Sequence, residues 1–255
     1  VTWLAVWLIG VGVSDLLRSV GHRHVRRAAV PAGAVTVVAV GLLAGLSGAA
    51  DLVALTASVG PLAGWVVLSE RSLRRGGGHA RALLVLGGSA FALVAASGLA
   101  STPGGPLGRW LTWADLPFDG DQPVARLLLV TGLGVANLAT GNVIVRLVLV
   151  SVGAMRPSAP NGGPPGAQPS EKLKGGRLLG PMERVFIIGL GLAGQITAAS
   201  IVIAAKGLIR FPELQSARDD GASVKGDGID EVTEYFLVGS FVSWLVALGS
   251  LALTR

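Results

Sequence analysis

The sequence predicts an all-α, polytopic membrane protein of about seven transmembrane helices, arranged five plus two, with the amino terminus outside and the carboxy terminus cytoplasmic. Three observations predict it. Hydrophobic residues make up 51% of the 255 residues and charged residues only 14%, where a soluble domain carries about 25% charged. The apolar residues come in long blocks, not in alternating or amphipathic patterns. The Lys and Arg residues gather in alternate connections between those blocks. Together these exclude a soluble enzyme, a disordered tail and a disulfide scaffold. With no cysteine, the chain has no disulfide, thiolate metal site or cysteine nucleophile. The net charge of +6 marks cytoplasmic loops, not nucleic-acid binding, because no compact basic domain exists to carry such binding.

A spanning helix needs ~20 mostly apolar residues. Seven segments qualify: Thr2–Leu17, Ala28–Gly48, Ala50–Leu68, Ala82–Ala100, Arg126–Val152, Glu183–Ala205 and Thr233–Thr254. The first has no basic residue before it, so it reads as a retained helix, not a signal peptide. The second and third almost abut, which predicts a tight hairpin. Between the fourth and fifth, Leu107, Trp110, Leu111 and Ala114 share one helical face and predict a short interfacial helix. Trp3, Trp7, Trp65 and Trp244 lie near span ends, where indole rings favour the membrane interface.

The basic residues orient the bundle. Connections one, three and five and the carboxy terminus hold 14, among them Arg18, Arg71, Arg156, Lys172 and Arg255, against six on the other side: Arg109, Arg126, Lys206, Arg210, Arg218 and Lys225. The side richer in Lys and Arg is cytoplasmic. Pro157–Ser170 is Pro/Gly-rich and predicts a flexible cytoplasmic linker. It divides a five-helix region (1–153) from a two-helix region (176–255), the linker running over 154–175. Gln215–Asp230, with Asp219, Asp220, Asp227 and Asp230, reads as an acidic external loop that lacks calcium-loop spacing. The expected setting is a bacterial plasma membrane.

Several motifs lose their usual meaning here. Gly189, Gly191 and Gly194 match G-x-G-x-x-G, but a dinucleotide fold needs a parallel sheet around it, and the flanks offer only hydrophobic spans. Glycines in such a span let helices approach closely; Gly41/Gly45 and Gly60/Gly64 take the same reading. Gly45-Leu-Ser47-Gly48 resembles the nucleophile of intramembrane serine proteases, but no histidine lies in a neighbouring span to take the proton. His22, His24 and His79 read as loop residues. No metal or cofactor site is expected.

The sixth segment carries the main polar signal. Arg184, Gln195 and Lys206 are spaced 11 and 11, almost three helical turns each, so in one straight helix they project from nearly one line. The outer two would lie ~33 Å apart, about one hydrocarbon thickness, with Gln195 at the midplane. A midplane amide should face protein or water. The fifth segment adds Asn137, Asn142 and Arg146; the last two share a face. Arg146 is expected to pair with Glu183 or Asp15, or to reach cytoplasmic water. Lys206 is expected near Asp51 or Glu234 at the external end.

Gly176-Arg177, Glu183-Arg184, Gly194-Gln195, Ala204-Ala205-Lys206, Arg210-Phe211, Glu234-Tyr235 and Gly239-Ser240 resemble the carboxy-terminal part of a family of uncharacterised bacterial multi-pass membrane proteins. The resemblance covers residues 176–243. The family's amino-terminal H-x-x-x-D-F-x-x-Q pattern is absent, Asp15 being at most a remnant. The resemblance implies topology and suspect residues, not an activity.

These readings lead first to a small transporter or channel-like protein, with a polar pathway along the fifth and sixth segments. A structural subunit of a membrane complex, docking through Gly-rich faces, is the second expectation. A membrane-embedded enzyme for a lipid or isoprenoid headgroup is the third, with Glu183 as acid/base and Arg146, Arg184 and Lys206 as anion holders. The expected partners are the lipid bilayer and another copy or a membrane-complex subunit, with no nucleic acid.

Overall fold

The computed structural model describes residues 1–20, 22–116, 118, 120–157, 176–205, 208 and 227–254. Every regular element among them is helical. The helices are α1 (Thr2–Ser19), α2 (Arg23–Arg27), α3 (Ala29–Leu43), α4 (Ala49–Ala57), α5 (Val59–Arg75), α6 (His79–Ala95), α7 (Gly105–Ala114), α8 (Pro123–Leu138), α9 (Thr140–Ser151), α10 (Gly176–Leu192), α11 (Ile196–Ala205) and α12 (Asp227–Leu253). Among the described residues, two helices are long and apolar enough to cross a membrane: Ala49–Arg75, which joins α4 and α5, and Thr233–Leu253 within α12. A third counts if α8 and α9 form one broken span. Of the other expected spans, α3 has 15 residues and α6 has 17, short of the ~20 that a membrane asks for.

The helices fall into two compact units. In the amino-terminal unit (Val1–Ser69 with Ala80–Thr140), α1 is the core. Trp3, Leu4, Ala5, Val6, Trp7 and Val11 are all buried, as expected of a helix that is apolar on every side. Glycines set its neighbours' distance. A Cβ at Gly12 would meet the Val135 backbone at 3.1 Å, and one at Gly132 the Ala5 carbonyl oxygen at 2.6 Å. Thus α1 and α8 touch nearly backbone to backbone, in parallel. Against α3 the same helix runs antiparallel: Ser14 Oγ donates to Ala29 O at 2.9 Å, and Gly10 faces Gly33.

The expected hairpin between the second and third segments is present, and Gly45 makes it. Its φ is +78°, a left-handed conformation that costs glycine little. Gly105, at φ +58°, packs on it, and Gly104 N–H donates to Ala44 O at 2.7 Å. The glycine read as a helix-packing residue is therefore a turn residue. Gly41 does pack, against Leu55. The expected interfacial helix is α7, with Leu111 buried and Trp113 81% exposed.

In the carboxy-terminal unit (Glu70–His79 with Gly141–Leu253), α9, α10 and α12 pack together. Ile187, Ile188 and Ala247 form an apolar core, with Leu192, Ile203, Trp244 and Leu251 against it. The expected straight segment Glu183–Ala205 is two helices. Two backbone bonds end α10: the N–H of Gly194, a residue at φ +74°, donates to Gly191 O at 3.1 Å, and Gln195 N–H donates to Leu190 O at 2.8 Å. That pair of hydrogen bonds with a left-handed glycine is a Schellman stop.

Candidate functional site

Two consecutive residues of α10 anchor the polar centre of the carboxy-terminal unit. Arg184 is 1% exposed and Glu183 is 6% exposed. Arg184 Nη2 donates to Asn142 Oδ1 of α9 at 2.6 Å, and Nη1 donates to Ser243 Oγ of α12 at 2.9 Å. Beside it, Trp244 Nε1 donates to Glu183 Oε1 at 2.6 Å. Room for the guanidinium comes from Gly141, where a Cβ would lie 2.8 Å from Arg184 Nε. A buried charge is tolerated when its donors are bonded and a countercharge stands close; here the adjoining Glu183 carboxylate supplies that charge. The arrangement joins three helices by one side chain.

The amino-terminal unit carries a second polar row, between α1 and the helix Ala49–Arg75. Trp3 Nε1 donates to Asp51 Oδ1 at 2.8 Å, and Trp7 Nε1 to Ser58 O at 3.1 Å. Trp65 Nε1 donates to Asp15 Oδ2 at 3.0 Å. Asp15 also forms an ion pair with Arg18, whose Nη1 reaches Val66 O at 2.9 Å and Ser69 Oγ at 3.1 Å. Asp51 takes two more donors, Gly48 N–H at 3.1 Å and Ser101 N–H at 3.2 Å. It thus caps the start of α4 and ties down the turn before α7.

This placement corrects the reading of the tryptophans. Trp3, Trp7 and Trp65 are buried, not interfacial anchors. Each turns its N–H onto an acceptor of a neighbouring helix because an indole donor, once buried, needs one. Asp51 is held by Trp3, Gly48 and Ser101 and does not sit at an exposed external end.

The expected line of polar residues is broken between Arg184 and Gln195. The stop at Gly194 interrupts the helical phase between Arg184 and Gln195, and Gln195 is exposed, accepting from Ala199 N–H at the start of α11. Lys206, Arg210 and most of Gln215–Asp230 lie outside the described residues, as does the linker from 158 to 175. Arg146 lies on the exposed side of α9, and Glu234 is exposed on α12. Asp15 binds Arg18 and Trp65, and Glu183 accepts from Trp244. Asn137 is buried, its Nδ2 donating within α8 to Leu133 O at 2.8 Å. His79 Nδ1 contacts Ser72 Oγ at 2.6 Å; Ser72 is buried, so its hydroxyl is closed to a substrate.

Ser243, Arg18 and the tryptophan donors were missed by reasoning on the sequence. The signal for them was weak: lone polar residues in apolar runs, whose partners only the register between helices reveals. Among the described residues no three His, Asp or Glu side chains converge as a metal site would require. A groove of about 460 Å³ is lined by α12 residues, among them Phe236, Ser240, Phe241 and Trp244. Comparison with protein-family models, with curated proteins and with solved structures yields no match.

Proposed function

We propose that the chain is a multi-pass protein of a bacterial plasma membrane and serves as a structural subunit of a membrane assembly. The observation that carries the reading is Arg184, 1% exposed and bonded to Asn142 and Ser243. A guanidinium consumed in this way is a pin between helices; a pathway would leave it facing water or solute. The remaining buried acids are likewise engaged, Asp15 by Arg18 and Trp65 and Asp51 by three N–H donors. The two candidate spans and the resemblance of residues 176–243 to multi-pass proteins support the membrane setting.

One observation favours transport as a second reading. The stop at Gly194 splits an apolar segment into α10 and α11, and discontinuous helices often mark transporter sites. Reconstitution of the purified chain into liposomes separates the two. The structural reading expects proton, potassium and chloride flux no higher than in empty vesicles. Flux above that background, abolished by Gln195→Leu without loss of folded protein, would replace it with the transport reading.

A further inference from the structure

The register between α10 and α12 sets the sidedness of the last third of the chain. Glu183 meets Trp244, Arg184 meets Ser243, Ile187 and Ile188 meet Ala247, and a Cβ at Gly191 would meet Leu251. Residue numbers rise together on both helices, so the two run parallel. Meanwhile α9 runs against them: Asn142 meets Arg184, whereas Leu149 lies at Gly239. Successive spans joined by one loop run antiparallel; parallel ones need a returning segment. That segment begins with α11. If α10 continued straight, Ile203 would lie ~24 Å beyond Ile187. Instead Ile203 packs on the core formed by Ile187, Ile188 and Ala247. The chain therefore turns at Gly194 and α11 folds back along α10.

Resting on the membrane reading above, we infer that α10 and α11 form a helical hairpin that enters and leaves on the same side. Residues 206–226 are then cytoplasmic with the linker, and the carboxy terminus is external. An independent feature of the sequence agrees. This arrangement moves Lys206, Arg210, Arg218 and Lys225 to the cytoplasmic side and Arg255 to the other. With Arg184 left out, since it is buried between helices, the basic split then sharpens from 13 against six to 16 against three, in the direction that the positive-inside bias demands. The same end of the unit also gathers the turn bearing Arg74 and Arg75 against the end of α9, where a Cβ at Gly76 would lie 2.7 Å from Pro157 Cγ.

Because the chain has no cysteine, single cysteines report sidedness directly. In intact cells, an impermeant thiol reagent should label Thr254→Cys, whereas Gln168→Cys and Ser223→Cys should label only after permeabilisation. Labelling of Ser223→Cys in intact cells, with Gln168→Cys still protected, would restore a straight sixth span and overturn the hairpin. A second measurement does not depend on sidedness: Gly191→Cys should crosslink to Leu251→Cys and not to Phe236→Cys, and the reverse result overturns the parallel register. Alkaline carbonate extraction keeps the two failures apart, since release of the chain from membranes would defeat the membrane reading while leaving the crosslinks to judge the hairpin.

Discussion

The two units solve one problem, a charge inside an apolar bundle, in opposite ways. In the amino-terminal unit the buried charges are acids, and they are held along the length of one central helix. Trp3, Trp7 and Arg18 of α1 meet the helix Ala49–Arg75 at successive levels, and Trp65 of that helix meets Asp15 of α1. In the carboxy-terminal unit a buried cation, Arg184, stands beside the buried acid Glu183, and the one arginine side chain joins α9 and α12 to α10. The first arrangement is distributed and tolerates the loss of one rung. The second is concentrated, and its loss strands two partners at once. A tryptophan on a buried carboxylate recurs in both: Trp3 on Asp51, Trp65 on Asp15 and Trp244 on Glu183. The indole supplies a donor and a large apolar body together, so it satisfies the acid without bringing more water inside.

The largest effect expected from this difference is at Arg184. Arg184→Ala empties a fully buried volume and leaves Asn142 Oδ1 and Ser243 Oγ without that donor. Cavity and lost-bond terms together should cost ~3–5 kcal/mol, read as a fall in the denaturation midpoint in detergent. A loss below about 1 kcal/mol would mean that the three helices are held by their apolar contacts alone.

Next come the glycine contacts, where the units differ by what an added methyl would strike. At Gly132 it meets a backbone oxygen of α1 at 2.6 Å, and at Gly191 it meets Leu251 Cδ1 at 2.5 Å. A backbone cannot step aside without shifting its helix, but a leucine tip can change rotamer. Gly132→Ala should therefore cost ~1–3 kcal/mol, and Gly191→Ala less. Equal losses would show that the carboxy-terminal unit is packed as rigidly as the amino-terminal one.

A smaller effect is expected on one rung of the distributed row. Trp65→Phe keeps most of the apolar volume and removes the donor to Asp15, which retains its ion pair with Arg18. The expected loss is ~1–2 kcal/mol. Combined with Trp3→Phe, whose acid keeps two backbone donors, the losses should be nearly additive, since the rungs do not share partners. Strong non-additivity would mean that the row behaves as one network.

The order of elements was legible in the sequence because helix length and hydropathy are local. Each apolar run became a helix or a pair of helices, and the amphipathic spacing of Leu107, Trp110 and Leu111 produced α7. What stayed hidden was how the runs meet. A tryptophan near a span end gives the same pattern whether it faces headgroups or a carboxylate on the next helix, so Trp3 and Trp65 could not be placed. Asp51 resembled an exposed end group, although Gly48 three residues before it already offered a capping geometry. The break at Gly194 was masked for a different reason. A glycine inside an apolar run fits close packing and helix termination equally well, and only the φ of +74° decides. Even within one motif the three glycines differ: a Cβ at Gly189 would meet nothing within 4 Å, Gly191 packs on Leu251, and Gly194 stops the helix.

The smallest expected effect falls where the straight-helix reading placed the greatest importance. On a continuous span Gln195 would sit at the midplane as an interhelical hydrogen bond, worth ~0.6–2 kcal/mol. At the stop it is exposed, and its backbone does the work: N–H to Leu190 O at 2.8 Å and C=O to Ala199 N–H at 3.1 Å. A leucine keeps both bonds. Gln195→Leu should therefore change stability by no more than about 0.5 kcal/mol. Gly194→Ala, one residue earlier, should cost ~1 kcal/mol or more, because alanine is strained at a positive φ. If Gln195→Leu proved the more damaging of the two, the amide would have a partner that the hairpin does not provide. The turn at Gly194, and with it the contrast between a row of rungs and a single pin, would have to be redrawn around a continuous sixth span.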